Sequence, residues 1–360
     1  MAKTAWIWIF GLSTLAAVAE PTAEPEVIQA AFPVLYVQDD LVGIKLKPHT
    51  KIRFKTPYFD TSVVTNKEGF TGRSFAIEKR AYRIAILGDS AVESYSVPDD
   101  ARFPAVMEQL IFDKTGGKQI AEVMGFGVSG WGLAHQYACL KHYVLKYSPD
   151  EVWIMFLPTN DFGDNTPLMN APPTGPTFIY DDDDPEKIVD VAFGYPIPPA
   201  ALLAQRRERY GAMLEGTRQR WTYGLLPYFW SDQKNPEWDL IESQGYQVLG
   251  LIKKLCDRHG IKVSVVYRVT GYDQSEANFR QFHAEAEKFL GHPIRMRFGL
   301  SWKRFEARLV TMGIGFINTL NQQPKHTIAT HRDAMEAAKH RDLAEFLSDA
   351  FLGRRKTQGQ

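Results

Sequence analysis

The chain has 360 residues, 44% hydrophobic and 12% aromatic, which is enough apolar material for one large core or two smaller ones and argues against disorder over most of its length. Lys plus Arg balances Asp plus Glu at 42 each, so no global field draws the protein to nucleic acid or to an anionic membrane surface. Two cysteines, Cys139 and Cys256, cannot supply a disulfide framework and form no CxxC pair; both fall in helical periodicity, where a small buried thiol is expected.

From the start of the chain, Lys3 is followed by an uncharged run from Thr4 to Ala19 that closes on Ala17-Val18-Ala19, a pattern suited to signal-peptidase cleavage. The run is slightly short of the roughly 20 residues that span a bilayer. Residues 1–19 therefore read as a signal peptide, or as a signal anchor that keeps residues 4–19 in a membrane. Either places the remainder outside the cytoplasm, periplasmic or secreted. Residues 20–34 are rich in Pro, Ala and Glu and read as a linker. Residues 35–80 contain the alternating pieces GIKLKP and KIRFKT and the turn-like TNKEGFTGR, which predict short antiparallel strands in an N-terminal β extension.

From Tyr82 the pattern changes. RIAILG is a continuous apolar run of the kind that forms a parallel strand buried on both faces. A helix is expected around PAVMEQLIFDKTG, a second strand at AEVMGFG, a helix over LAHQYACLKHYVLKYSPD ended by Pro149, and a third strand at EVWIMFLP. Later come a helix near IESQGYQVLGLIKKLCDRHG, the strand IKVSVVYRV, a last strand at MGIGFINTL and the helix AMEAAKHRDLAEFLSDAFL. Strands alternating with helices at this spacing predict a three-layer α/β/α domain over residues 81–352 around a parallel five-stranded sheet, with a short tail at 353–360. No internal repeat is visible. Between about 164 and 243 the alternation lapses, and this stretch is read as a large insertion after the third strand. Its Asp181–Asp184 run offers carboxylates to a hard cation but lacks EF-hand spacing, so a surface hairpin turn is the expectation.

In open α/β sheets, ligands bind at the carboxyl ends of the strands. Three strands here end in polar or glycine-rich sequence: Gly88-Asp89-Ser90, then Gly125-Phe126-Gly127-Val128-Ser129-Gly130, then Pro158-Thr159-Asn160-Asp161. Each has an ordinary explanation alone. Ser90 could cap the next helix, and Asn160 could serve a turn. Together and in this order they resemble the SGNH (GDSL-type) hydrolase superfamily, over roughly residues 35–350. LGDSAVESYSV, NKEGFTGR and LKYSPDEVWIMFLPTNDFGDN are similar to its secreted or anchored bacterial members.

The resemblance implies acyl-transfer chemistry, which needs a nucleophile, a base and donors aimed at a developing oxyanion. Ser90 is the implied nucleophile, and the oxyanion donors are the backbone N–H groups of Ser90 and Gly127 and the side-chain amide of Asn160. Glycine at 127 would permit close approach of substrate. GDSAV lacks the second glycine of G-x-S-x-G, which argues against an α/β-hydrolase elbow. No metal or organic cofactor is implied.

The family's fourth block, Asp-x-x-His before the last helix, is altered. His331 stands two residues before Asp333, but the position three residues before it is Ile328, and no acid lies between Asn318 and His331. His340 matches a second, structural histidine of that helix, and counting back from it puts the base at Ala334. The alternatives for the base are His331, His326 or none. Gly125 and Thr159 also depart from the family pattern, Gly125 predicting a looser turn before Gly127. Two readings follow: an extracytoplasmic serine esterase or acyltransferase on a small-molecule or glycan acyl ester, favoured as O-acetylated carbohydrate, or a non-catalytic, anchored binding or scaffold subunit with a protein partner. For the second, YGLLPYFW at Tyr223–Trp230 is the candidate partner surface. Burial of these aromatics in the insertion's own core is the expectation against both that surface and sugar stacking.

Overall fold

In a computed structural model, which describes residues 36–55, 60–166, 175–193, 219–321 and 332–357, the N-terminal extension forms two antiparallel hairpins. The first pairs β1 (Tyr36–Asp39) with β2 (Gly43–Leu46), and the second pairs β3 (Lys51–Lys55) with β4 (Asp60–Val64). The segment expected as a signal peptide or anchor lies outside the described residues.

The apolar run at Tyr82 becomes β5 (Tyr82–Gly88), followed by the single turn α1 (Ser90–Glu93), α2 (Phe103–Lys114), β6 (Ala121–Gly127) and α3 (Leu133–Cys139). After α3 the helical path continues as a π turn and a 3₁₀ turn to Tyr147, then enters β7 (Glu151–Phe156). The insertion contributes a hairpin of β8 (Thr177–Tyr180) and β9 (Ile188–Ala192), whose connecting turn carries Asp181–Asp184 as expected. The long helix α4 (Pro236–Arg258) leads to β10 (Lys262–Tyr267). Three helices that sequence reading did not separate follow: α5 (Gly271–Gln274), α6 (Glu276–Leu290) and α7 (Leu300–Thr311). The chain closes with β11 (Gly315–Asn318) and α8 (Arg332–Thr357).

The expected five-stranded parallel sheet is present, in the order β11-β10-β7-β5-β6. Every residue of β7 is buried, as is β5 from Arg83 onward, because helices cover both faces. Alternate side chains divide between two cores. Ala85, Leu87, Val152, Ile154 and Phe156 pack with α3, α4 and α7, while Ile84, Ile86, Trp153 and Met155 pack with α2 and α8. The strand that starts the domain sits mid-sheet, with β6 on one side and β7 on the other. That reversal opens a crevice between the carboxyl ends of β5 and β7, the place where such sheets bind ligands.

Arg83 is a charged residue inside this apolar run, and it is wholly buried. Its Nε donates to Glu122 Oε2 at 2.5 Å, and its four remaining N–H groups meet the carbonyls of Ile77, Tyr147, Ala76 and Glu78 at 2.6–3.1 Å. All five donors are satisfied, so the guanidinium fastens the connector before β5 to the sheet. Arg83→Leu leaves those acceptors without a donor. It is expected to lower stability by about 3–5 kcal/mol, read as a drop in the urea midpoint by far-UV circular dichroism.

Candidate active site

Three strand ends meet at the crevice. At the end of β5, Asp89 is fully buried and takes the N-cap position of α1. One of its carboxylate oxygens accepts the Ala91 N–H at 2.9 Å, and the other accepts the Asn160 side-chain amide at 3.2 Å. Ser90 is therefore not the cap. It is half-buried, and its hydroxyl makes no hydrogen bond among the described residues.

The glycines at these strand ends serve packing. A Cβ on Gly88 would lie 2.6 Å from Val92 Cγ2, and one on Gly127 would lie 2.5 Å from Val92 Cβ and 2.8 Å from the Asp89 carbonyl oxygen. The missing side chain of Gly127, expected to serve substrate approach, also lets α1 lie directly on β6. Gly125 does not loosen a turn, because it sits inside β6, opposite Ile86.

At the end of β7, the segment from Leu157 to Asp164 folds on itself. The Asn160 N–H donates to the Leu157 carbonyl, and Asp161 accepts the Leu157 N–H and the Gln136 amide, both at 2.6 Å. Asn160 is thus part of a turn, yet its side chain is turned away from it, toward Asp89. Thr159 Oγ is buried without a partner among the described residues, and the Thr159 carbonyl accepts the indole N–H of Trp221 at 2.7 Å. Asp161 and Asp164 are buried, and desolvation, then the nearby Asp89 carboxylate, hold both well above the usual carboxylate range.

Trp221, Tyr228, Phe229 and Trp230 are buried, as expected, and present no face for sugar stacking or a partner, while Tyr223 is half-buried against Phe282 and Phe289; Tyr210 lies outside the described residues. Trp221 packs against Gly163 and anchors the insertion to the loop that carries Asn160. Sequence reasoning also missed Glu93, which is wholly buried one turn after Ser90, and the bridging role of Asp89.

His331 and His326 lie outside the described residues. Two buried histidines stand near the edge. His340 Nδ1 accepts the Phe103 N–H at 3.0 Å and its ring stacks on Phe103, while His135 Nδ1 accepts the Gly132 N–H at 3.3 Å and its ring stacks on Trp131. With Nδ1 engaged as an acceptor, each neutral ring carries its proton on Nε2 and offers no lone pair to a serine hydroxyl. His340 has the structural role expected of it.

Neither a protein-family model nor a curated protein matches the chain. Among solved structures, it is similar to TesA, at 11% identity over 74% of this chain and 98% of that one with a TM-score of 0.35. It is also similar to a GDSL-like lipase from Bacteroides thetaiotaomicron, at 12% identity over 76% and 88% of the two chains with a TM-score of 0.33. An acetyl xylan esterase, AlAXEase, matches at 12% identity over 74% and 98% with a TM-score of 0.36.

Burial, reinforced by Arg268 and Arg102, pushes His340 from its ordinary value near 6.5 down to about 3. Below about pH 6.5 the unfolded chain therefore takes up a proton that the folded chain refuses. The stability tied to neutral His340 is complete above that pH and is lost at about 1.4 kcal/mol per unit as pH falls toward 3. His340→Gln is expected to be less stable by about 1–2 kcal/mol at pH 7.5, and the gap should close between pH 6.5 and 5 in urea-midpoint measurements.

Proposed function

We propose that this chain is an extracytoplasmic serine ester hydrolase or O-acyltransferase of the SGNH type, acting on acyl esters through Ser90. The observation that carries this reading is the division of roles at the start of α1. Asp89 both caps the turn and holds Asn160, which leaves the Ser90 hydroxyl unbonded at the crevice between β5 and β7. A serine serving only as a helix cap would have its oxygen engaged.

In this mechanism Ser90 Oγ attacks the ester carbonyl while His331 takes its proton. The negative oxygen that develops is met by the N–H groups of Ser90 and Gly127 and by the Asn160 amide. Collapse breaks the acyl–oxygen bond, the alcohol leaves with the proton held on His331, and an acyl-enzyme remains. Water, or an acceptor hydroxyl in a transferase, then releases the acyl group by the same steps in reverse order. With Ile328 where the family has Asp, the imidazole would need another acceptor, such as a backbone carbonyl, to hold its tautomer. O-acetylated carbohydrate is the substrate class favoured by the motif resemblance together with expected export.

A second reading has its own support. The fourth block has Ile328 where the family carries its acid. On that reading the chain is an SGNH-like binding or scaffold subunit held at a membrane.

Hydrolysis of an aryl acetate by the purified chain separates the two. The esterase reading expects turnover that falls by at least about 10³-fold in both Ser90→Ala and His331→Ala. Asn160→Ala should lose about 10²–10³-fold in kcat through removal of one oxyanion donor. Activity no higher than that of Ser90→Ala, on aryl acetate and on acetylated glycans alike, would leave the non-catalytic reading standing.

A further inference from the structure

Glu93 lies one turn beyond Ser90 on α1 and is wholly buried. One of its carboxylate oxygens accepts the Ser129 N–H, two residues beyond Gly127, and the other accepts the Tyr36 hydroxyl at 2.6 Å. Tyr36 opens β1, in the N-terminal extension. The same hairpin reaches the β6 loop again, because Trp131 Nε1 donates to the Ile44 carbonyl of β2 at 2.9 Å. Burial and the adjacent Glu93 push the Tyr36 phenol well above its usual range, so it keeps its proton and donates.

We infer that Glu93 and Tyr36 are positioning residues that set the separation between the Ser90 hydroxyl and the Gly127 N–H, which makes the β1–β2 hairpin part of the active site. This rests on the esterase reading above. α1 meets β6 at Gly127 through Val92 and its own backbone, contacts that leave the tilt of the loop after β6 to be set by what lies beyond Gly127. The Glu93–Ser129 bond supplies that restraint from the nucleophile's own helical turn. Tyr36 occupies the second carboxyl oxygen, so the side chain cannot rotate away without leaving buried polar atoms unpartnered. A displacement of about 1 Å at such a site can cost on the order of 10²-fold in rate.

The test compares four variants of the full chain, read by aryl acetate kinetics and by hydrogen–deuterium exchange of the segment 125–132. Glu93→Leu removes both bonds and is expected to lower kcat about 100-fold with KM within about threefold. Glu93→Gln should retain kcat within about tenfold, because its carbonyl can accept from Ser129 while its amide donates to the Tyr36 oxygen. Tyr36→Phe should fall between them, and both Tyr36→Phe and Glu93→Leu should speed exchange across 125–132. Arg280→Met breaks the exposed Arg280–Glu276 ion pair on α6, outside the β1–β2 hairpin, and should leave kcat unchanged. A folded Glu93→Leu with full kcat and unchanged exchange overturns the inference, as does a Glu93→Gln no better than Glu93→Leu. If Glu93→Leu does not fold, Tyr36→Phe decides on the same two readouts. If the unmodified chain hydrolyses no ester, the proposed function fails, and exchange alone judges the restraint: faster in Tyr36→Phe upholds it, unchanged overturns it.

Discussion

The carboxylate of Asp89 bonds forward to the Ala91 N–H and sideways to the Asn160 amide, and the layout of the crevice edge follows from those two contacts. A buried carboxylate requires hydrogen bonds on both oxygens. Here one partner lies on the turn that follows β5 and the other on the loop that follows β7, so satisfying a single side chain aligns two strand ends. The serine next to it is released from capping. Asn160 is held by an acceptor on one side of its amide, which leaves its second N–H free of Asp89. A substitution at Asp89 would thus act on three positions at once.

Around that bridge, the edge is assembled by close approach. Gly88 and Gly127 admit Val92 where any Cβ would collide, and Gly163 admits the ring of Trp221. The insertion is consequently not an appendage, since its indole N–H grips the carbonyl next to Asn160. The N-terminal hairpins also reach this edge, through Tyr36 on Glu93 and through the Thr61 hydroxyl on the Tyr95 carbonyl. Both segments outside the repeating strand–helix pattern therefore brace the loops that carry the candidate site.

How far this was legible in the sequence depends on the range of each interaction. The core strands announced themselves, because burial on both faces demands continuous apolar runs such as RIAILG and EVWIMF, and their polar endings marked the edge. The start of α4 was also written locally: Asn235 accepts the N–H groups of Glu237 and Trp238, with Pro236 at the first helical position, a capping signal that places the boundary several residues before the apolar periodicity suggests. Helices α6 and α7 carry apolar positions three and four apart, Phe279, Phe282 and Ala286 in one and Phe305 and Leu309 in the other, and were readable by the same rule. The Glu93–Tyr36 bond was not readable. It joins residues 57 positions apart, and neither a tyrosine opening a short edge strand nor a glutamate in a serine-containing turn carries a local signature. The packing demand for glycine at 127 was hidden likewise, since it lies in the side chain of Val92 and not in the neighbouring sequence.

The same edge concentrates features that oppose folding. Asp89, Asp161 and Asp164 are buried within electrostatic reach of one another, Thr159 Oγ is buried without a partner among the described residues, and Ser94 takes a left-handed conformation immediately after α1. Elsewhere the five donors of Arg83 are all committed, while Gln119 Oε1, Trp238 Nε1 and Arg355 Nε are, like Thr159 Oγ, buried without a partner among the described residues. Buried acids, an unpartnered hydroxyl and a left-handed residue gathered at one strand edge are characteristic of a surface shaped for a ligand rather than for stability. That concentration bears on the choice between the two functional readings. A scaffold that used only its outer faces would gain stability from a smaller side chain at Thr159 or an amide at Asp164, with nothing lost at the crevice. An acyl-transfer site needs the crowded, poorly hydrated edge, because dipoles aimed at a developing oxyanion act most strongly where water is excluded.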